Sequence, residues 1–178
     1  MTDPSTPAFD VPRIPPLKDQ FPDKPNLFAT MAHHPKLAEQ AHEFATVFLR
    51  NGGLLSPRHR ELAILRTAAR LRSEYEFAQH IAVARTSGLT DDEIRRAVDT
   101  SDRSWTGSEA VLLDAADEVF ETGDVSDGLW SEMEEVWSVP QILELLALFG
   151  MYRTLAIIIR CARVQVDEGA DRWSFGAL

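Results

Sequence analysis

One cysteine, Cys161, occurs in 178 residues, so an internal disulfide is excluded and a reducing, cytoplasmic setting is expected. It sits in the apolar run Ile157-Ile158-Ile159-Arg160-Cys161-Ala162 and reads as a small buried core residue. Glycine is sparse and forms no phosphate-binding loop, and no Ser/His/Asp set stands in a recognisable nucleophile elbow. Long hydrophobic runs are lacking too. The longest apolar tract, residues 142–166, is interrupted by Glu144, Arg153, Arg160 and Arg163, so no membrane span is expected. The polar N-terminus has no apolar region of the signal-peptide kind. Positive charge is in the minority, with 18 Lys and Arg against 28 Asp and Glu. A net charge of −10 disfavours nucleic-acid backbones and anionic membrane surfaces as partners.

What is present is helical. Pro35 opens a helix that runs to about Arg50 and is stopped by Asn51-Gly52-Gly53. Ser56-Pro57 caps the next, and Ser73-Glu74-Tyr75-Glu76 reads as a capping box that starts another, closed by Ser87-Gly88. Thr90-Asp91-Asp92-Glu93 is a second capping box, opening a short helix to about Thr100. Further helices are expected over 105–121, from Ser126 through Trp137, and, the longest, beginning at Ser138-Val139-Pro140 and reaching about Val166. No strand-like alternation or internal repeat interrupts this pattern. The reading is an all-α, single-domain bundle of about seven helices. Seven of the ten prolines fall in residues 1–25, which therefore form an N-terminal arm ahead of a helical domain over 26–178. Phe9, Val11, Ile14, Leu17 and Phe21 suggest that the arm lies on its own domain or on a neighbouring subunit.

Two ionisable residues stand on apolar helical faces. At 100° per residue, Glu61 falls among Ile64, Leu65, Ala68 and Leu71, while Arg66 and Arg70 point away. The same count places His80 among Phe77, Val83 and Ala84. A carboxylate facing the interior has to be paired, hydrogen-bonded or neutralised. On one continuous helix the 19 residues between Glu61 and His80 would separate them by roughly 28 Å. The break at Ser73 folds the chain back and permits contact, giving an acid–imidazole pair suited to proton transfer. Glu76, one turn before His80 on the same face, either hydrogen-bonds the imidazole or completes the capping box. Ser73 faces the same way and reads first as a cap. Tyr75 points to the opposite side, toward packing. His59 and Arg60 look like first-turn surface residues. Glu61, Glu76 and His80 make only a weak metal set without a second imidazole, so no metal or cofactor is expected.

Over residues 56–94 these features together resemble the carboxymuconolactone decarboxylase family, which includes the alkylhydroperoxidase D-like proteins. The resemblance rests on Pro57, Arg60-Glu61, Ser73-Glu74-Tyr75-Glu76-Phe77-Ala78-Gln79-His80, Ser87-Gly88-Leu89-Thr90 and Glu93-Ile94. It extends more weakly from about Pro35 to Val166. The family's peroxidase branch carries Glu-x11-Cys-x2-Cys-x3-His. Glu61 and His80 match that spacing, but Ser73 and Glu76 occupy the two cysteine positions, and neither can perform thiol–disulfide exchange. The resemblance implies an alkylhydroperoxidase D-like helical fold and homo-oligomeric rings, trimers or hexamers, with sites near subunit contacts. Tyr152-Arg153 resembles a recurrent feature of the family's last long helix, where a polar pair lines a pocket or a subunit contact.

The function expected is a cofactor-free, proton-transferring enzyme of lyase, isomerase or hydratase type acting on a small carbonyl, lactone or carboxylate. His80 would be the acid/base, Glu61 its orienting partner and Glu76 a second proton carrier. Ser73, Tyr152 and Arg153 are the candidate substrate-binding groups. The alternative is a peroxide-reducing antioxidant protein, which would have to rely on Cys161. A non-catalytic binding protein on the same scaffold is the third reading. The arginines of residues 58–72 either pair with the acidic second half, where 7 Lys and Arg face 19 Asp and Glu over 91–178, or orient a substrate carboxylate.

Overall fold

A computed structural model describes residues 11–49 and 53–171. Among these there are eight α-helices and no strand. They are α1 (Asn26–Met31), α2 (Pro35–Leu49), α3 (Pro57–Leu71), α4 (Glu74–Thr86), α5 (Asp91–Val98), α6 (Gly107–Thr122), α7 (Asp127–Val136) and α8 (Val139–Ala162). The helix beyond the seven expected is α1, six residues long with no side-chain cap, which leaves little pattern to read.

The local rules place most boundaries. Ser56 Oγ accepts from the His59 amide with Pro57 in the first turn of α3. Thr90 and Glu93 form a reciprocal capping box at α5. α8 stops four residues before the expected end, because Arg163 turns left-handed at φ 55° and its amide closes on the Arg160 and Ile159 carbonyls. Non-glycine residues adopt that conformation rarely, so nothing in the sequence marks the stop.

α3 is the central helix, packed against α4, α5, α6 and α8. Leu62, Ala63, Ile64 and Leu65 are wholly buried, so α3 is enclosed nearly all round rather than presenting one stripe. Its polar outer side is bridged to later helices. Arg58 pairs with Glu93 and Glu109, and Arg66 with Asp117 at 3.0 Å, while Arg70 reaches Asp117 and Glu121. Arg66 is 1% exposed, so it belongs to the interior and also donates to the Ala97 and Asp99 carbonyls.

The loop before α3 is held by Glu144 of α8, which accepts from the Leu54 and Leu55 amides at 2.7 and 3.0 Å. A Cβ at Gly53 would lie 2.8 Å from the Phe48 carbonyl oxygen, so this close approach requires glycine. The described part of the arm lies on its own domain: Arg13 and Ile14 donate to the Ala162 carbonyl and Leu17 to that of Ala29. Phe9, Asn51 and Gly52 lie outside the described residues. α8 is long and apolar enough to cross a membrane, yet 56% of its most apolar window is buried inside this domain, as for a core helix.

Candidate functional site

The site begins with the turn between α3 and α4. Arg72 takes a left-handed conformation at φ 50°, and the Ser73 amide then donates to the Ala68 carbonyl at 2.8 Å. The chain reverses, and α4 lies back along α3. His80 thereby meets Glu61, 19 residues earlier, with Nδ1 2.7 Å from the carboxylate Oε2. Glu61 is 0% exposed, and its other oxygen accepts from Arg60 Nε at 3.3 Å. The Arg60 guanidinium also donates to the Phe48 carbonyl at 3.1 Å and is mostly buried, contrary to its reading as a surface residue. His59 is half-buried too, against the Ser108 hydroxyl and edge-on to Trp137.

α8 supplies the third member. The Tyr152 hydroxyl lies 3.0 Å from His80 Nε2, with the rings edge to face at 5.3 Å. A carboxylate at Nδ1 fixes the neutral tautomer: Nδ1 carries the proton and donates to Glu61, and Nε2 accepts from the Tyr152 O–H. Burial and the neighbouring Glu61 charge hold the phenol firmly un-ionised. The side chain of His80 is 15% exposed, against 0% for Glu61 and 3% for the whole of Tyr152, so the ring is the member of this row that faces outward. Burying such a row stabilises little, since desolvation roughly cancels the attraction. Val83, read as part of the apolar stripe beside His80, is 41% exposed.

Four further expected placements differ. The Ser73–Glu76 capping box does not form, because the Ser73 amide already serves Ala68 and α4 has no side-chain cap. Nor does Glu76 bond His80, whose two nitrogens are taken by Glu61 and Tyr152. Both Glu76 oxygens and the Ser73 hydroxyl are buried, with no hydrogen-bond partner beyond one another. Burial pushes the Glu76 carboxyl up to about 8, the Ser73 hydroxyl offsetting this in part. Arg153, paired in sequence with Tyr152, points away from the imidazole. It is exposed and lines a separate hollow of about 320 Å³ beside Val119, Phe120, Trp130, Leu146 and Phe149. Cys161, expected in the core, is exposed, four residues after the exposed Ile157 on the outer face of α8. Among the described residues no group of three or more His, Cys, Asp or Glu is arranged to hold a metal ion.

Tyr75 is the contact that sequence periodicity placed correctly on the other side. Its hydroxyl accepts from the Leu27 amide at 3.1 Å and donates to Asp167 at 2.7 Å, tying α4 to α1 and the C-terminal segment. The link between His80 and Tyr152 carried no local signal, because the two are 72 residues apart.

The all-helical fold that carries this pair has clear structural counterparts. Residues 35–118, from α2 into α6, match the model of the carboxymuconolactone decarboxylase family. No curated protein matches the sequence. A peroxidase-related protein from Silicibacter sp. TM1040 superposes with a TM-score of 0.76 at 14% identity, over 96% of this chain and 97% of that one. An alkylhydroperoxidase AhpD core protein from Ralstonia eutropha JMP134 gives 0.70 at 20% identity, over 85% and 82%. The debrominase Bmp8, solved with 2,3,4-tribromopyrrole, gives 0.65 at 12% identity, also over 85% and 82%. These likenesses define the fold as AhpD-like. The family model covers just under half of the chain, and the solved structures establish the fold it shares with them.

Proposed function

We propose that this protein is a cofactor-free enzyme that moves protons on a small carbonyl, lactone or carboxylate compound, with His80 as the acid/base. The observation that supports it is the row Glu61–His80–Tyr152, in which a buried carboxylate 2.7 Å from Nδ1 leaves Nε2 as the basic nitrogen. Because the ring is the outward-facing member, substrate meets the imidazole and takes the place of the Tyr152 hydroxyl at Nε2. Glu61 fixes the tautomer and stabilises the imidazolium formed when the proton arrives. Decarboxylation, isomerisation, hydration and ring opening all use such a base.

The peroxide-reducing alternative needs a thiol beside the pair, and Ser73 and Glu76 hold those positions. Cys161 is exposed but lies nine residues beyond Tyr152, about 13 Å along the helix axis. The outer face of α8 carries Val139, Leu143 and Ile157, each more than half exposed, and we read it as the surface through which copies of the chain assemble into a trimer or hexamer.

The test is kinetic. On a substrate found by screening small carbonyl and lactone compounds, His80→Gln should lower kcat at least 100-fold, as for loss of a general base. Glu61→Gln should cost a similar factor, and Tyr152→Phe about tenfold or less. Full turnover by His80→Gln would exclude the mechanism. Rapid consumption of an alkyl hydroperoxide, abolished by Cys161→Ser, would favour the alternative instead.

A further inference from the structure

Two polar side chains on the His80 side of α4 lie in the interior with only each other to bond. Ser73 is 1% exposed and Glu76 3%, and beyond each other neither the hydroxyl nor the carboxyl has a partner. An unsatisfied buried group costs about 1–3 kcal/mol, so natural interiors rarely keep one without a use. Here three such atoms come together. Ser73, Glu76 and His80 stand at i, i+3 and i+7, one stripe of the helix, with Glu76 about 6 Å below His80 along the axis.

The surroundings decide the form Glu76 takes. Tyr152 of α8 lies close enough to feel the Glu76 charge, with Glu61 and Arg60 of α3 beside the same phenol and His80 of α4 bonded to both Glu61 and Tyr152. Among the described residues no cation forms an ion pair with Glu76. The Ser73 amide, which a capping box would direct at Glu76, is spent on Ala68. A carboxylate in that position would have no counter-ion and only the Ser73 hydroxyl as donor, whereas a carboxylic acid needs only an acceptor.

We propose that Ser73 and Glu76 form a proton-donating subsite for an oxygen of the substrate, with Glu76 acting as an un-ionised carboxylic acid. The proposal rests on the reading of His80 as the base and narrows its substrate class. The molecule carries a carbonyl oxygen next to the carbon at which His80 works, the two ends fitting the one-turn separation of Glu76 and His80. In the enolisation step, Nε2 takes the proton from the carbon adjacent to the carbonyl. The C–H electron pair becomes the new C=C bond, and the carbonyl π pair moves to oxygen. That oxygen takes the proton of Glu76 while Ser73 donates a hydrogen bond to it. The products are an enol, an imidazolium and a Glu76 carboxylate, with net charge unchanged. Return of a proton from His80 to carbon and recovery of one by Glu76 complete the cycle. Ser73 and Glu76, which replace two thiols in the spacing pattern, thus favour oxygen-centred over sulfur-centred chemistry.

Infrared difference spectroscopy on the full chain tests this without turnover. A carbonyl stretch from one protonated carboxyl per chain is expected well below pH 8, lost as the pH rises through about 8, and absent from Glu76→Gln. Acetate, as the smallest oxygen-acceptor probe, should shift that band. Its affinity should fall about tenfold per pH unit above the midpoint. Ser73→Ala should weaken acetate binding while leaving the band in place. Absence of the band, or a band indifferent to acetate, would overturn the proposal. The band does not depend on His80, so His80→Gln retaining both band and turnover would fault the base assignment and not the subsite.

Discussion

Glu76 should make the fold less stable as the medium becomes alkaline, and glutamine at this position should remove that dependence. Burial raises its carboxyl from the ordinary value of 4.5 to about 8. Between these values the unfolded chain has released the proton and the folded chain still holds it. Unfolding therefore releases a proton, and raising the pH favours the unfolded state. Below 4.5 both states are protonated, and above about 8 both are ionised, so the dependence vanishes at each end. Each pH unit within the interval costs about 1.4 kcal/mol, which over the span from 4.5 to about 8 comes to about 5 kcal/mol. That is a large share of the 5–15 kcal/mol that roughly holds a domain folded. Urea unfolding followed by circular dichroism, at one protein concentration and a series of pH values, measures it. Subtracting the Glu76→Gln curve from the wild-type curve removes His59, Asp117 and the other titrating groups. The difference should fall by about 5 kcal/mol across the interval and then level off. A difference that is flat, or that rises with pH, would refute the reasoning.

Two further outcomes follow from the packing. Arg66→Met leaves Asp117 without its buried partner and removes donors from the Ala97 and Asp99 carbonyls, so unfolding in urea should show a loss of about 3–5 kcal/mol; a loss below about 1 kcal/mol would contradict the buried-pair assignment. Light scattering at micromolar concentration should give three or six times the 19.9 kDa chain mass, falling when Leu143→Lys and Ile157→Lys place charge on the outer face of α8; a monomeric mass for the wild type would remove the assembly reading.

Much of this was legible because it is local. Ser56-Pro57, Thr90 with Glu93, and the apolar stripes fixed α3, α4 and α5 closely, and the break at Ser73 made the Glu61–His80 contact geometrically open. What escaped depends on partners far along the chain or on backbone conformations that leave no residue signature. Ser73 and Glu76 carry the letters of a capping box, but the left-handed Arg72 diverts the amide such a box requires. Glycine would have announced that turn, and arginine does not. The burial of Arg66 depends on Asp117, 51 positions away, and the engagement of Nε2 on Tyr152, 72 positions away. Tyr152 and Arg153 are adjacent letters, yet a 100° step around α8 sends one to the imidazole and the other to a different hollow. Cys161 follows the same logic: an apolar neighbourhood in sequence, but the outward side of a helix buried on its other face.

The most direct measurement is nitrogen-15 NMR of the His80 ring in the full chain near neutral pH. Glu61 at 2.7 Å demands a proton on Nδ1, observed as a strongly hydrogen-bonded Nδ1–H that weakens or disappears in Glu61→Gln. A ring with a bare Nδ1 and its proton on Nε2 would contradict the account.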